Sequence, residues 1–189
     1  MDPNNSGAWN QYLFADETLN VSPYDFDNGN YWPRETYFYG ATVSTTDNNS
    51  RTKRIWEYAW YAIAKANLAL EEIDKEGVFQ GTDEEKNLIK GQALFFRAWF
   101  YFQICKFWGG MPYVTRVLSP TESLITDEFT RLNFQETAIK MAADFKAAAD
   151  LLPNDWDQTV AGQRTLGQNH QRINKFFALG YEGTELLFA

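Results

Sequence analysis

The chain has little cysteine and little histidine, with one residue of each among its 189. A single cysteine excludes a disulfide within the chain, and a single histidine excludes a metal site built from several histidines. Cys105 falls inside an apolar stretch, which predicts a buried and unreactive thiol. His170 stands between Asn169 and Gln171, so we expect it at the surface rather than in a catalytic site.

Long apolar runs and an excess of positive charge are also missing. No run of about 18 apolar residues occurs, so the sequence predicts no membrane-spanning helix. The formal net charge is -8, and an acidic surface repels phosphate backbones, which argues against a nucleic-acid partner. Met1–Asn5 contains neither a basic region nor an apolar stretch, so we expect no signal peptide in this sequence.

Known motifs for catalysis and for ion binding are incomplete. Gly162–Gly167 has the glycine spacing of a phosphate-binding loop, but Gln and Asn follow where Lys and Ser or Thr are required. Asp25–Gly29 is similar to the start of a calcium loop, yet Asn30 and Thr36 stand where glycine and glutamate are needed. A solvated turn is the preferred interpretation there, and a weak calcium contact stays open. The sequence therefore predicts no catalytic residues, no cofactor and no metal site.

Aromatic residues are abundant, at 17% of the chain, with 7 Trp, 10 Tyr and 15 Phe. They are dense in residues 91–102, where the small Gly91, Ala93 and Ala98 alternate with large rings. That alternation suits a helix pressed closely against another helix. We expect Arg97, the one charge within this stretch, to pair with a carboxylate or with helix-end carbonyls instead of a ligand.

Apolar residues recur at three- and four-residue steps in four segments, which predicts helices over about 52–74, 82–107, 134–152 and from about 173 onward. Thr82 with Glu85, and Asn133 with Glu136, have the spacing of helix-capping pairs. No strand or hairpin pattern occurs in the sequence.

The helices pair as two hairpins separated by an extended insert, so the expected fold class is all-α, with tetratricopeptide-like helical hairpins and long irregular loops. Residues 1–50 are predicted to form an N-terminal helix and aromatic loop region, and residues 51–189 a helical-repeat core. Within the core, we expect Trp56 and Trp60 on the buried stripe of the first helix and a polar loop over residues 154–171.

An irregular aromatic segment around residues 31–49 is best suited to a ligand. Carbohydrates present flat C–H faces that stack on aromatic rings, and their hydroxyl groups need amide, carboxylate or guanidinium partners. The glycan-binding residues that we predict are Tyr31, Trp32, Arg34, Tyr37, Tyr39 and Asn48. Packing of the same rings against the helices is the alternative interpretation.

Four stretches, in order along the chain, resemble the SusD/RagB family. Residues 91–101 and 107–112 read G-Q-A-L-F-F-R-A-W-F-Y and F-W-G-G-M-P, similar to the family's G-E-A-x-F-x-R-A-x-x-Y and F-G-x-x-P. Trp56–Asn67 resembles its W-x-x-x-Y-x-x-I-x-x-A-N helix, Asp144–Pro153 its D-L-x-x-A-x-x-L-L-P segment, and Arg172–Ala189 its R-x-x-K-x-x-A-L … L-L-Y-A helix. Glutamine at position 92 and tryptophan at position 60 depart from the pattern.

The resemblance implies a SusD-like α-helical repeat scaffold, of which this chain would be the N-terminal portion. It also implies a cell-surface lipoprotein of the outer membrane of Bacteroidetes that is not an enzyme. Such proteins capture oligosaccharides, and sometimes peptides, and deliver them to a SusC-like TonB-dependent transporter. The helical-repeat face contacts the transporter and the loops recognise the ligand. The membrane would be reached only through a lipid anchor upstream of these residues.

Two other functions stay open. One is a helical-repeat scaffold for protein–protein contact that has no ligand site of its own. The weaker one is a glycan-cleaving enzyme, because a catalytic pair of carboxylates is brought together only by the fold and cannot be recognised in a sequence.

Overall fold

The computed structural model describes residues 51–119, 121–122 and 129–189. Contacts divide the chain into two compact units, Met1–Trp56 and Glu57–Ala189, and the packing below is that of the second unit. The helices are α1 (Arg51–Glu72), α2 (Asp83–Trp108), α3 (Phe134–Leu151), α4 (Val160–Gln163) and α5 (Lys175–Leu186), with a 3-10 turn at Trp156–Gln158. Every regular element in the described ranges is a helix, which confirms the all-α fold class.

Side-chain caps fix where the long helices begin. Thr82 accepts a hydrogen bond from the backbone N–H of Glu85, whose carboxylate accepts one from the backbone N–H of Thr82. Asn133 and Glu136 form the same reciprocal pair at the start of α3. Each cap of this kind stabilises a helix by about 1 kcal/mol. The two capping pairs predicted from the sequence therefore start the helices where expected.

The core lies between α2, α3 and α5. Phe95 of α2 meets the rings of Phe145 and Tyr181 edge-on, at centroid distances of 5.3 and 5.6 Å. At Gly91, α2 lies close to the end of α3, because a Cβ atom there would lie 3.0 Å from Cγ of Leu152. The sequence prediction of small residues that permit close approach is therefore correct for Gly91.

The first helix joins this core through large side chains. Ala59 and Ile63 are buried, and the ring of Trp60 meets Tyr101 edge-on at 5.7 Å. Trp56, one turn before Ala59, is 37% exposed. The prediction of a core position is therefore wrong for Trp56, because the buried stripe among the described side chains of α1 starts at Ala59. Trp60 is half-buried against the core.

The predicted polar loop over residues 154–171 is more ordered than its composition indicates. Asp155 caps the 3-10 turn, and Thr159 accepts from the N–H of Gly162 to begin α4. Trp156 is 3% exposed, and its indole N–H donates to the carbonyl of Ile173 at 2.6 Å. One buried tryptophan thus fastens this polar segment to the residues that precede α5.

The end of α2 depends on two glycines. Gly109 has φ of 74°, in the left-handed region that favours glycine. Gly110 touches other backbone, because a Cβ atom there would lie 2.2 Å from the carbonyl oxygen of Leu132. Arg131 donates to the carbonyls of Trp108 and Gly110 at 2.7 and 2.9 Å. The chain is thereby turned into an extended segment, Met111–Arg116, that runs back along the helices.

Candidate functional site

A buried polar cluster around Arg97 is the most connected set of polar side chains among the described residues. The Arg97 guanidinium is 6% exposed and donates to both carboxylate oxygens of Asp144, each at 2.7 Å. It also donates to Oδ1 of Asn67 at 2.9 Å, and Tyr113 donates its hydroxyl to Asp144 at 2.7 Å. The prediction that Arg97 pairs with a carboxylate is confirmed.

The same cluster holds the extended segment in place. The amide of Asn67 donates to the carbonyls of Val114 and Arg116 at 3.0 and 3.2 Å. The hydroxyl of Tyr101 accepts from the N–H of Val114 at 2.7 Å, and its ring stacks on Tyr113 at 4.2 Å. The backbone groups of a segment that belongs to no helix or sheet are satisfied in this way.

Electrostatics hold three groups of the cluster in fixed protonation states. Burial alone would lower the pKa of Arg97, but the hydrogen bonds and charge of Asp144 outweigh it, so the pKa is raised. Burial also raises the pKa of Tyr101 and of Tyr113 well above the ordinary tyrosine range. The arginine is held charged and both phenols neutral, so none of the three is poised to exchange a proton near neutral pH.

The thiol of Cys105 and the imidazole of His170 lie outside this cluster. Cys105 is 2% exposed, and burial raises the pKa of its thiol to about 12, so the reactive thiolate is suppressed. His170 lies exposed on the surface. Both sequence predictions for these residues are confirmed. In the ranges that the structure describes, no group of at least three His, Cys, Asp or Glu side chains could hold a metal ion.

Glu185 on α5 was not singled out by its sequence. It is completely buried, and neither carboxyl oxygen has a hydrogen-bond partner within the described ranges. Burial raises the pKa of this carboxyl to about 7 and outweighs the opposing effect of the Lys106 ammonium. That ammonium lies 4.7 Å from the centre of the Phe102 ring, and burial lowers its pKa.

A cleft of about 540 Å³ opens between two parts of the chain that are far apart in sequence. Residues 79–92, from the α1–α2 loop and the first turns of α2, form one wall, and residues 156–172 form the other. We call this opening the 79–172 cleft. Its size falls within the range of about 300–1,000 Å³ that small-molecule sites occupy.

Aromatic residues also remain exposed on α5. Phe176 and Phe177 are 64% and 54% exposed, and together with Gly180, Tyr181 and Thr184 they line a shallow depression of about 400 Å³. Apolar surface of this kind is typical of a contact with another polypeptide segment.

The predicted glycan-binding residues Tyr31, Trp32, Arg34, Tyr37, Tyr39 and Asn48 lie outside the described residues, as does the calcium-like stretch Asp25–Gly29. Their role therefore stays a prediction. So does the division of the chain into residues 1–50 and 51–189. Across the part of the chain that is described, no helix combines the length and apolar character needed to cross a membrane.

Comparison with protein families finds a match over most of the chain. Residues 13–166 match a SusD-like family model that carries the description "Starch-binding associating with outer membrane". The matched range takes in the predicted aromatic segment as well as α1, α2 and α3. The chain is also 26% identical over 108 residues to SusD-like protein P2 of Formosa agariphila, an alignment that covers 57% of this chain and 20% of that protein.

Solved structures share the fold. A SusD-like protein from Bacteroides fragilis superposes with a TM-score of 0.63 at 24% identity, covering 89% of this chain and 29% of that one. A second protein from the same organism, named a SusD-like carbohydrate binding protein, superposes with a TM-score of 0.59 at 25% identity. The superposition covers 75% of this chain and 25% of that one. Surface glycan-binding protein A from Bacteroides uniformis superposes with a TM-score of 0.58 at 17% identity, covering 75% of this chain and 28% of that one. This chain therefore spans between a fifth and a third of the length of these relatives.

Proposed function

Because the chain belongs to the SusD-like family described as starch-binding and associating with the outer membrane, we propose that it takes part in capturing oligosaccharides at the cell surface. The captured glycan passes to a SusC-like TonB-dependent transporter in the outer membrane. The single observation that carries the proposal is the family match over residues 13–166, which includes the aromatic segment around residues 31–49.

The chemistry of that segment supports a glycan ligand. Tyr31, Trp32, Tyr37 and Tyr39 supply rings that can stack on the C–H faces of sugars, and Arg34 supplies a fork of hydrogen-bond donors. Asn48 can donate to and accept from sugar hydroxyls through one amide group. Recognition of this kind needs no nucleophile and no general acid.

The described scaffold supports binding rather than catalysis. Arg97 and Asp144 are engaged with each other, and Cys105 is buried as a neutral thiol. His170 lies on the surface in a polar turn. Incubating the protein with oligosaccharides and finding cleavage products by chromatography would overturn this part of the proposal.

We further propose that the mature protein is a surface-exposed lipoprotein, held at the outer membrane by a lipid anchor upstream of the helical core. The family description, which names association with the outer membrane, supports this location. Labelling cells that produce the complete protein with a fatty-acid analogue, and then digesting surface proteins with protease, tests both points. Absence of the label, or protection from protease in intact cells, would contradict it.

Isothermal titration against a set of oligosaccharides tests ligand capture directly. For a glycan that binds, Trp32→Ala and Tyr37→Ala should each weaken affinity by about twofold to tenfold, because an aromatic contact is worth about 0.5–1.5 kcal/mol. Tyr58→Ala, which removes a tyrosine that is 65% exposed on α1, is the matched control and should leave affinity unchanged. Equal affinity of all three variants and wild type would remove the aromatic segment from the site.

The exposed apolar surface of α5 favours a second function, protein–protein contact without a ligand site. Phe176 and Phe177 are the residues that such a partner would cover. Co-purification with the transporter combined with no glycan binding in titration would favour this function. Glycan binding that survives Phe176→Ser and Phe177→Ser would count against it as the sole role.

A further inference from the structure

We propose that the 79–172 cleft is an additional saccharide subsite, separate from the aromatic segment and suited to an uncharged sugar unit. The inference rests on the proposed function, since it assigns a further place where the captured glycan makes contact. It is carried by three properties of the cleft: hydrogen-bonding groups on both walls, an apolar base, and walls fixed by their own internal bonds.

Both walls offer groups that can pair with sugar hydroxyls. Arg164 donates to Oε1 of Glu85 at 2.7 Å across the cleft, and its side chain is 67% exposed, so its other N–H groups face solvent. The amide N–H of Gln92 donates to the carbonyl of Leu88, which leaves its oxygen as an acceptor. Gln80 adds an exposed amide at the rim. Neighbouring hydroxyls of a sugar ring, which both donate and accept, match such a mixed set.

The base of the cleft is apolar. Leu88 and Trp156 are 4% and 3% exposed, and Phe79 lies half-buried beside them. The guanidinium of Arg172 covers the Trp156 ring at 4.7 Å from its centre, presenting a flat cationic surface with further donors at its edge. A sugar has one face of C–H groups and an edge of hydroxyls. Its C–H face can lie against Phe79 and the plane of the Arg172 guanidinium, while its hydroxyls reach the walls.

Charge balance favours a neutral sugar over an anionic one. The positive charge of Arg164 is paired with Glu85. The carboxylate of Glu84 accepts from the N–H of Val160 at 3.4 Å, next to the lining residue Ala161. The two arginines that line the cleft, Arg164 and Arg172, are thus matched in number by the carboxylates of Glu84 and Glu85, and an acidic ligand would gain little net attraction.

The wall formed by residues 156–172 is rigid before any ligand arrives. Asn169 donates to the carbonyls of Gly162 and Thr165, each at 3.0 Å, and accepts from the Thr165 hydroxyl at 2.9 Å. Gly162 packs directly on backbone, since a Cβ atom there would lie 1.7 Å from the carbonyl oxygen of Trp156. A preformed wall loses little conformational entropy when it binds, which is what a ligand site requires.

Nuclear magnetic resonance on the full, ¹⁵N-labelled chain tests the subsite. Maltoheptaose, cellohexaose, xylohexaose and the acidic tri-galacturonate are each titrated while the backbone amides and the Gln80 and Gln92 side-chain amides are followed. We expect at least one of the three neutral sugars to shift signals of the cleft. Gln80→Ala and Arg172→Met should each weaken the affinity obtained from those shifts by about threefold to tenfold, because one hydrogen-bonding group is lost.

Gln168→Ala is the matched control, because Gln168 is an exposed glutamine of the same segment that does not line the cleft. It should leave the titration unchanged, and circular dichroism should show that Arg172→Met remains folded. If neutral sugars shift only signals of residues 31–49, the subsite is wrong while the proposed function stands. If none of the four sugars shifts any signal, both are wrong. A cleft that responds to tri-galacturonate alone overturns the assignment of a neutral ligand.

Discussion

Replacing Glu185 by glutamine should stabilise the protein above neutral pH and leave its stability unchanged near pH 4. The wild-type carboxyl is completely buried on α5, without a hydrogen-bond partner in the described ranges. Lys106 of α2 is the titratable group whose charge lowers the pKa of Glu185, and Glu185 in turn raises the pKa of the Cys105 thiol. Glutamine has nearly the same shape and polarity as the protonated acid, so the substitution isolates the cost of ionisation.

The size of the effect follows from the pKa. Burial raises the pKa from 4.5 in the unfolded chain to about 7 in the folded protein. Below pH 4.5 both states carry the proton, and no penalty arises. Between pH 4.5 and 7 the unfolded chain releases its proton more readily than the folded protein, so folding loses stability as pH rises. A pKa shift of one unit corresponds to about 1.4 kcal/mol of folding free energy. The total loss of stability above pH 7 is therefore about 3 kcal/mol.

Urea unfolding of wild type and Glu185→Gln, followed by circular dichroism from pH 4 to pH 8.5, measures the difference. The variant should gain up to about 3 kcal/mol over wild type, with nearly all of the gain appearing between pH 4.5 and 7. Glu182→Gln, on the same helix, controls for removal of a negative charge from α5. A difference between Glu185→Gln and wild type that stays constant across the whole pH range would refute the reasoning.

Two further substitutions test the scaffold. Arg97→Met should cost about 3–5 kcal/mol in urea unfolding, because it leaves the Asp144 carboxylate buried without its cationic partner. Adding Asp144→Leu should recover part of that loss. A cost below about 1 kcal/mol would contradict the cluster's role. Gly110→Ala should lower the melting temperature, because a Cβ atom there would lie 2.2 Å from backbone, whereas Gly180→Ala, with no atom within 4 Å, should raise it slightly. Equal melting temperatures for these two alanine variants would show that the close contact at Gly110 is absent.

Local features of the fold were predictable because their causes lie within a few residues. Thr82 with Glu85 marks the start of α2, and Gly109 marks its end, since capping and left-handed backbone depend on adjacent residues. The apolar spacing over residues 134–152 predicted α3 for the same reason. The family resemblance then supplied the arrangement of the helices, which periodicity alone does not determine.

Features that join distant parts of the chain were missed. Trp156 looked like one aromatic residue in a polar loop, because its partner Ile173 lies 17 residues further on. The 79–172 cleft combines residues from two separate segments, so nothing in either segment alone indicated it. The sequence around Glu185 does not indicate a buried carboxyl, because the burial depends on packing against other helices, among them α2. The aromatic segment around residues 31–49 stays a prediction.

The Arg97 cluster also has a consequence for how fast the protein folds and unfolds. Arg97 bonds Asn67 and Asp144 across 30 and 47 residues, and Asn67 bonds Val114 across another 47. Helices can form from local contacts, but these bonds close only after three helices have met. We therefore expect them to be largely unformed in the transition state for folding. Substitutions there should accelerate unfolding and leave the folding rate nearly unchanged, which stopped-flow chevron analysis would measure. On this view the cluster determines how long the assembled scaffold persists once it has formed.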